Sequence, residues 1–144
     1  MITNDITFAM IKPDAVKAGN VGSIISLIEE NGFEIIALRK HQLSIPDISV
    51  FYSEHIGKVY FEDLEQFMTS GPVFPIVLRK TNAVVEFRKL LGKTNPDEAE
   101  EGTIRKLFAS AKNRNACHGS DSNENAWREL SCFFNKLEIL SRIQ

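Results

Sequence analysis

Cysteine is scarce in this chain of 144 residues: Cys117 and Cys132 are the only two. One disulfide is arithmetically possible, but two thiols cannot build a disulfide framework, and a reducing cytosol is the simplest home. Histidine is equally sparse. His41, His55 and His118 show no HxxxH or CxxC spacing, which argues against a structural zinc site. No run of 18 apolar residues occurs, so no transmembrane helix is expected. The N-terminus, MITNDITFAMIKPD, places Asp5 early and lacks the basic-then-apolar order of a secretory signal, so a cytoplasmic protein is expected. A basic excess is missing too. Seventeen Lys and Arg against 19 Asp and Glu give a net charge of −2, whereas domains that grip polyanions usually carry a large positive sum. Neither nucleic acid nor membrane is therefore an expected partner, although a near-neutral sum leaves room for a small local cluster of cations. Internal repeats, low-complexity segments and interdomain linkers are also absent.

What is present is ordinary for a folded protein: 43% apolar and 25% charged residues. The length predicts a single domain over 1–144, and a chain of this size buries roughly two thirds of its extended surface without staples.

The chain reads as alternating strands and helices. Ile6 to Lys12 (ITFAMIK) predicts a strand that ends at Pro13-Asp14. Apolar residues at Val21, Ile24, Ile25, Leu27 and Ile28 predict a helix over Val21 to Glu30, stopped by Asn31-Gly32. Phe33 to Leu43 reads as a second strand. Pro46-Asp47 opens a helix to about His55, and Phe61 to Ser70 is another helical stretch. Val73 to Leu78 is a third strand, in which Pro75 suits an edge or a bulge better than a central position. Asn82 and Thr103 are candidate caps for helices over Ala83 to Leu91 and up to about Ala109. A short fourth strand is expected near Ala116 to Gly119, and a last helix from about Glu124 to Phe134. The order predicts an α+β fold of the ferredoxin-like β-α-β-β-α-β plan, a four-stranded antiparallel sheet covered by helices.

The chemically informative stretch is Asn115-Ala116-Cys117-His118-Gly119-Ser120-Asp121-Ser122. A histidine stands before small polar residues that can cap the following helix, whose first N–H groups make an anion site. Such a histidine is a candidate general base or a nucleophile toward a phosphoryl group; the plainer alternative is a surface histidine beside a capping turn. Lys12, Arg88 and Arg105 are cations at element ends, each readable alone as a solvated charge. Cys117 reads as a small packed residue, Trp127 as helix packing, and the acidic run from Asp97 to Glu101 as a solvated loop.

Taken together, MIKPDAV (10–16), EENGFEI (29–35), FYSEH (51–55), FMTSGPV (67–73), LLGKTNP (90–96), GTIR (102–105) and HGSDS (118–122) resemble the nucleoside-diphosphate kinase family, in its order and with its spacing. HGSDS with TNP and GTIR carries most of the specificity, and the short C-terminus resembles bacterial members. The resemblance implies transfer of the γ-phosphoryl group of a nucleoside triphosphate to a nucleoside diphosphate by a ping-pong route through a phosphohistidine on His118. It assigns Glu129 to one ring nitrogen of that histidine, Ser120 to support of Glu129, and Tyr52 to a place beside the nucleophile. Lys12, Arg88, Thr94 and Arg105 are implied to hold phosphates, Asn115 the ribose, and Tyr60, Leu64 and Lys112 the nucleotide base. Mg²⁺ is the implied cofactor, held mainly by nucleotide phosphates and water near Asp121. A homotetramer or a homohexamer is implied.

Two positions depart from the family's usual pattern. Tyr60 stands where a phenylalanine commonly stacks on the base, and Lys112 where an apolar residue is usual. A non-catalytic nucleotide-binding or interaction protein on the same fold is the competing reading, since fold alone does not fix chemistry. Retention of His118, Lys12, Arg88, Arg105, Asn115 and Glu129 together favours the enzyme.

Overall fold

Ile6–Ile11 (ITFAMI) has one polar residue in six, and all six are buried. A strand hydrophobic on both faces must be covered on both, and this strand, β1, lies inside the sheet. The computed structural model describes residues 4–144. Its other strands are β2 (Glu34–Leu38), β3 (Phe74–Arg79) and β4 (Cys117–Gly119), in the order β2-β3-β1-β4 with every pairing antiparallel. Two interleaved crossovers, β1 to β2 and β3 to β4, give the expected ferredoxin-like sheet.

Helices sit on both faces because β1 and β3 send apolar side chains both ways. One face packs Ala9, Ile11, Ile76 and Leu78 against α1 (Pro13–Lys17), α2 (Val21–Glu30), α5 (Ala83–Leu91) and α6 (Ile104–Phe108). The other packs Phe8, Met10 and Val77 against α3 (Ile45–Phe51), α4 (Phe61–Met68), α7 (Asn123–Leu130) and α8 (Lys136–Arg142). Trp127 is buried in this second core, which bears out its reading as packing.

Several boundaries differ from the sequence expectation. Pro13 ends β1 but also starts α1, where its fixed φ and missing N–H suit the first helical turn. β2 stops at Leu38, short of Leu43; beyond it only His41 bridges Val73. α3 ends at Phe51, and Ser53–His55 is a separate 3₁₀ turn. Asn82 precedes α5 in the left-handed conformation (φ 55°) and its side chain makes no capping bond. Thr103 does cap α6, its hydroxyl accepting from the Lys106 N–H. α7 ends at Leu130, and α8, absent from the sequence reading, follows with Asn135 as its cap.

Pro75 lies in an interior strand rather than at an edge. In an antiparallel ladder a residue's N–H and C=O point to the same neighbour. The Pro75 carbonyl accepts from Arg39 N at 3.2 Å, on the β2 side, so its missing N–H also faces β2. The regular β2 pairing ends at Leu38 with Ile76 and resumes at His41 with Val73, so the proline leaves out one bond at the frayed end of β2 and none to β1. β2 is bulged between Ile35 and Ala37, and Arg142 of α8 donates to the carbonyl of the extra residue, Ile36, at 3.1 Å.

Candidate functional site

Alternation along β4 decides where His118 points. Cys117 and Gly119 face the α5 side, so His118 faces the α3 and α7 side. There its ring lies 5.4 Å from that of Phe51 and 6.1 Å from that of Phe8, centroid to centroid. Gly119 is required at its position by packing: a Cβ there would sit 2.8 Å from the Phe87 ring. The next residues leave the sheet and Ser122 caps α7, its hydroxyl accepting from Asn125 N at 3.1 Å. α7 then returns Glu129, buried, to the histidine.

Glu129 Oε1 meets His118 Nε2 at 2.9 Å and accepts from the Ser120 hydroxyl at 2.5 Å. A carboxylate can only accept, so Nε2 is the protonated nitrogen and Nδ1 keeps its lone pair. His118 retains 21% side-chain exposure, and it lines a cleft of about 230 Å³.

Arg88, Thr94 and Arg105 line the same cleft. They come from three separate elements, and backbone carbonyls orient the two arginines. Arg88 donates to Gly119 O at 3.3 Å; Arg105 donates to Gly92 O and Cys117 O, both at 3.1 Å. Arg105 is buried without a carboxylate partner among the described residues, and burial lowers its pKa from the ordinary arginine value. Uncompensated buried cations attract anions.

Lys12 and Asn115 flank the cleft as a pair rather than forming its wall. Lys12 Nζ donates to Asn115 Oδ1 at 2.8 Å, and Lys12 N donates to Ala116 O at 2.8 Å, which ties both to the entry of β4. Burial, followed by the neighbouring Arg105 charge, pulls the Lys12 ammonium down to about 8. Asn115 in turn donates to Lys112 O at 3.0 Å. The Cys117 thiol is buried, and burial pushes it up to about 12, in keeping with its reading as a small packed residue.

Tyr52 also lines the cleft. Its hydroxyl is buried without a hydrogen-bond partner among the described residues, and burial with the Glu129 charge pushes the phenol above its usual range. Tyr60 is half exposed and reaches the cleft through His55, a lining residue, whose Nδ1 lies 2.5 Å from the Tyr60 hydroxyl. Leu64 is partly buried against the α3–α4 core, and the Lys112 side chain is exposed. Asp121 lines the cleft and is held ionised below the usual carboxylate range, chiefly by the Asn125 amide, which donates at 2.6 Å.

Sequence reasoning missed Phe51 and four polar wall residues: Glu54, His55, Asn125 and Arg128. Arg128 Nη2 lies 3.6 Å from Glu129 Oε2, the carboxylate oxygen that His118 does not use. The i, i+1 spacing of Arg128 and Glu129 conceals this, because neighbours on a helix do not normally face one another. No group of three His, Cys, Asp or Glu side chains able to hold a metal ion occurs among the described residues, and no helix there is long and apolar enough to cross a membrane.

Comparison with known proteins identifies the family. The family model described as nucleoside diphosphate kinase matches residues 5–139. The nucleoside diphosphate kinase of Campylobacter fetus is 53% identical over 133 residues, covering 92% of this chain and 97% of its own. That of Histophilus somni is 46% identical over 141 residues, covering 98% and 100%. A crystal structure of the Aquifex aeolicus nucleoside diphosphate kinase superposes with a TM-score of 0.90 at 35% identity, covering 93% and 97% of the two chains. A family member from Babesia bovis superposes with a TM-score of 0.88 at 36% identity, covering 93% and 90%. With a histidine bonded to a carboxylate in a cleft that two arginines also line, and with relatives matched along nearly their full length, the chain belongs to the nucleoside diphosphate kinase family.

Proposed function

We propose that this enzyme moves the γ-phosphoryl group of a nucleoside triphosphate, typically ATP, onto a nucleoside diphosphate through a phosphohistidine on His118, and so maintains nucleotide pools. The observation that carries this reading is the Glu129 contact at Nε2, which leaves the Nδ1 lone pair free to attack. Nδ1 forms a bond to the γ-phosphorus as the bond to the β–γ bridging oxygen breaks, and the nucleoside diphosphate departs with that oxygen. Positive charge on the imidazolium is met by Glu129 through the Nε2 proton. A second diphosphate then takes the phosphoryl group, and the Nδ1 lone pair is restored.

Charge on the phosphoryl oxygens in flight makes positioning and electrostatics the main task of the remaining residues. Arg88 and Arg105 supply donors in fixed forks, Thr94 a hydroxyl, and Lys12 a point charge. Tyr52, its hydroxyl unpartnered, is available as a further donor. Asn115 with Lys12 takes the ribose; Tyr60, Leu64 and Lys112 take the base. Any base presents a flat face to stack, so broad base and sugar tolerance is expected. Mg²⁺ bound with the nucleotide offsets phosphate charge. The residues fit an ion held by phosphates and water, because Asp121 and Glu54 are the wall carboxylates other than Glu129 and are too few for a protein cage. We place the protein in the cytoplasm as a homotetramer or homohexamer, with neither nucleic acid nor membrane as a partner.

A covalent intermediate makes the two half-reactions separable. Exposed to ATP alone, the enzyme should release ADP in an amount equal to its sites and keep the phosphoryl group after the nucleotides are removed; ADP release only once a second diphosphate is added would sink the ping-pong route.

Lys12 adds a pH dependence. Its folded pKa of about 8 lies below the unfolded value of 10.5, so the unfolded state holds the extra proton between them. Stability of the free protein therefore rises with pH across that window, while the cationic form needed for phosphate is lost. ADP affinity should fall up to about tenfold between pH 7 and pH 9. Calorimetric titration checks this, and Lys12→Arg, which stays charged, should flatten the profile over that range.

A further inference from the structure

The tyrosine at position 60 does something a phenylalanine there cannot. Half of its surface is exposed, at the start of α4, and an exposed tyrosine ordinarily leaves its hydroxyl in water. Here the hydroxyl turns back to His55 Nδ1, 2.5 Å away, with the two rings inclined at 62°. The segment between them includes Gly57 (φ 86°) and the fully exposed Val59, so it has little packing of its own to hold it. His55, by contrast, is anchored: its ring lies 5.9 Å from that of Tyr52, which lies 4.8 Å from Phe51, which lies 5.4 Å from His118. A continuous row of rings thus runs from the nucleophile to an otherwise loose aromatic plate at the mouth of the cleft.

We propose that Tyr60 is a base-positioning residue whose hydroxyl bond to His55 locks its ring at the angle that receives the nucleotide base. The inference rests on the nucleotide-transfer reading above. A free exposed ring must lose rotameric freedom when a base stacks on it, and one already tethered loses less. The tether therefore contributes to base binding and not to the chemistry at His118, which lies four rings away. His55 is the positioning residue in this pair, acting through Tyr60.

Tyr60→Phe keeps the ring and removes only the tether. ADP should then bind roughly two- to tenfold more weakly. Ribose 5-diphosphate, which has the sugar and phosphates without a base, should bind the parent and Tyr60→Phe equally. His55→Leu should reproduce the weakening, and the double variant should be no worse than either single one, since both remove the same bond. Calorimetry with the two ligands reads all four proteins. Unchanged ADP affinity in Tyr60→Phe would overturn the proposal. So would equal weakening toward ribose 5-diphosphate, which would mean that the bond merely holds the loop, or a parent that binds ADP no better than the baseless ligand. Labelling of the parent by saturating ATP tests the phosphohistidine reading separately, since that reaction does not require Tyr60 to be tethered.

Discussion

His118→Ala should lower phosphoryl transfer by on the order of 10⁴-fold or more, a barrier increase of about 5.5 kcal/mol. The magnitude follows from what the substitution removes. Arg88, Arg105 and Thr94 would still hold the phosphates, and Lys12 would still pair with Asn115, so nucleotide binding should change only a few-fold. What disappears is the single lone pair positioned to form a covalent bond. The fold should survive, because His118 is partly exposed and its neighbours Phe8 and Phe51 keep their contacts with Phe133. Glu129 would keep its bond from Ser120 and its proximity to Arg128, so its buried carboxylate would not be orphaned. Steady-state kinetics together with ADP calorimetry separate the two effects. Near-normal turnover in this variant would remove His118 as the nucleophile; loss of ADP binding along with turnover would make it a binding residue.

Gly92→Ala should be the most damaging single methyl in the site. Gly92 closes α5 at φ 86° and ψ 175°, a region that is essentially open to glycine alone. A Cβ there would also lie 2.6 Å from Thr103 Oγ1 and 2.8 Å from Thr103 Cβ. That hydroxyl caps α6 and donates to Glu100 O at 2.7 Å, so it cannot yield without loosening the helix start. Strain and overpacking together should cost about 3 kcal/mol or more, a large share of the ~5–15 kcal/mol that holds a domain. The melting temperature should fall by roughly 10 °C. The Gly92 carbonyl also orients Arg105, so the surviving folded protein should bind ADP less well. Thermal unfolding reads the first effect and calorimetry the second; an unchanged melting temperature would show that α6 shifts freely.

Much of this site was legible in the sequence, and for a physical reason. HGSDS joins a strand residue, a capping serine and a helix start, three local signals that agree, so His118, Ser120 and the anion-friendly turn can be read without tertiary information. Glu129 and the convergence of Lys12, Arg88 and Arg105 depend on which elements the sheet brings together, and only the family resemblance supplied them. Local signals failed where tertiary context overrode them. Pro75 looked wrong for an interior strand, because sequence cannot show that its missing N–H faces the frayed end of β2, where it leaves out one bond. α8 went unread because its seven residues bury only Ile139 fully, too few apolar positions to make a period. Arg128 and His55 reach the cleft from positions whose neighbours in sequence say nothing of it.

The most direct test of the account is a brief exposure of the purified protein to ATP labelled at the γ-phosphate, with Mg²⁺, followed by quenching and mapping of the label. The expected result is acid-labile, alkali-stable phosphate on His118, discharged at once by any added nucleoside diphosphate and absent from His118→Ala. Label that is stable to acid, that sits on another residue, or that an added diphosphate fails to remove would contradict transfer through His118.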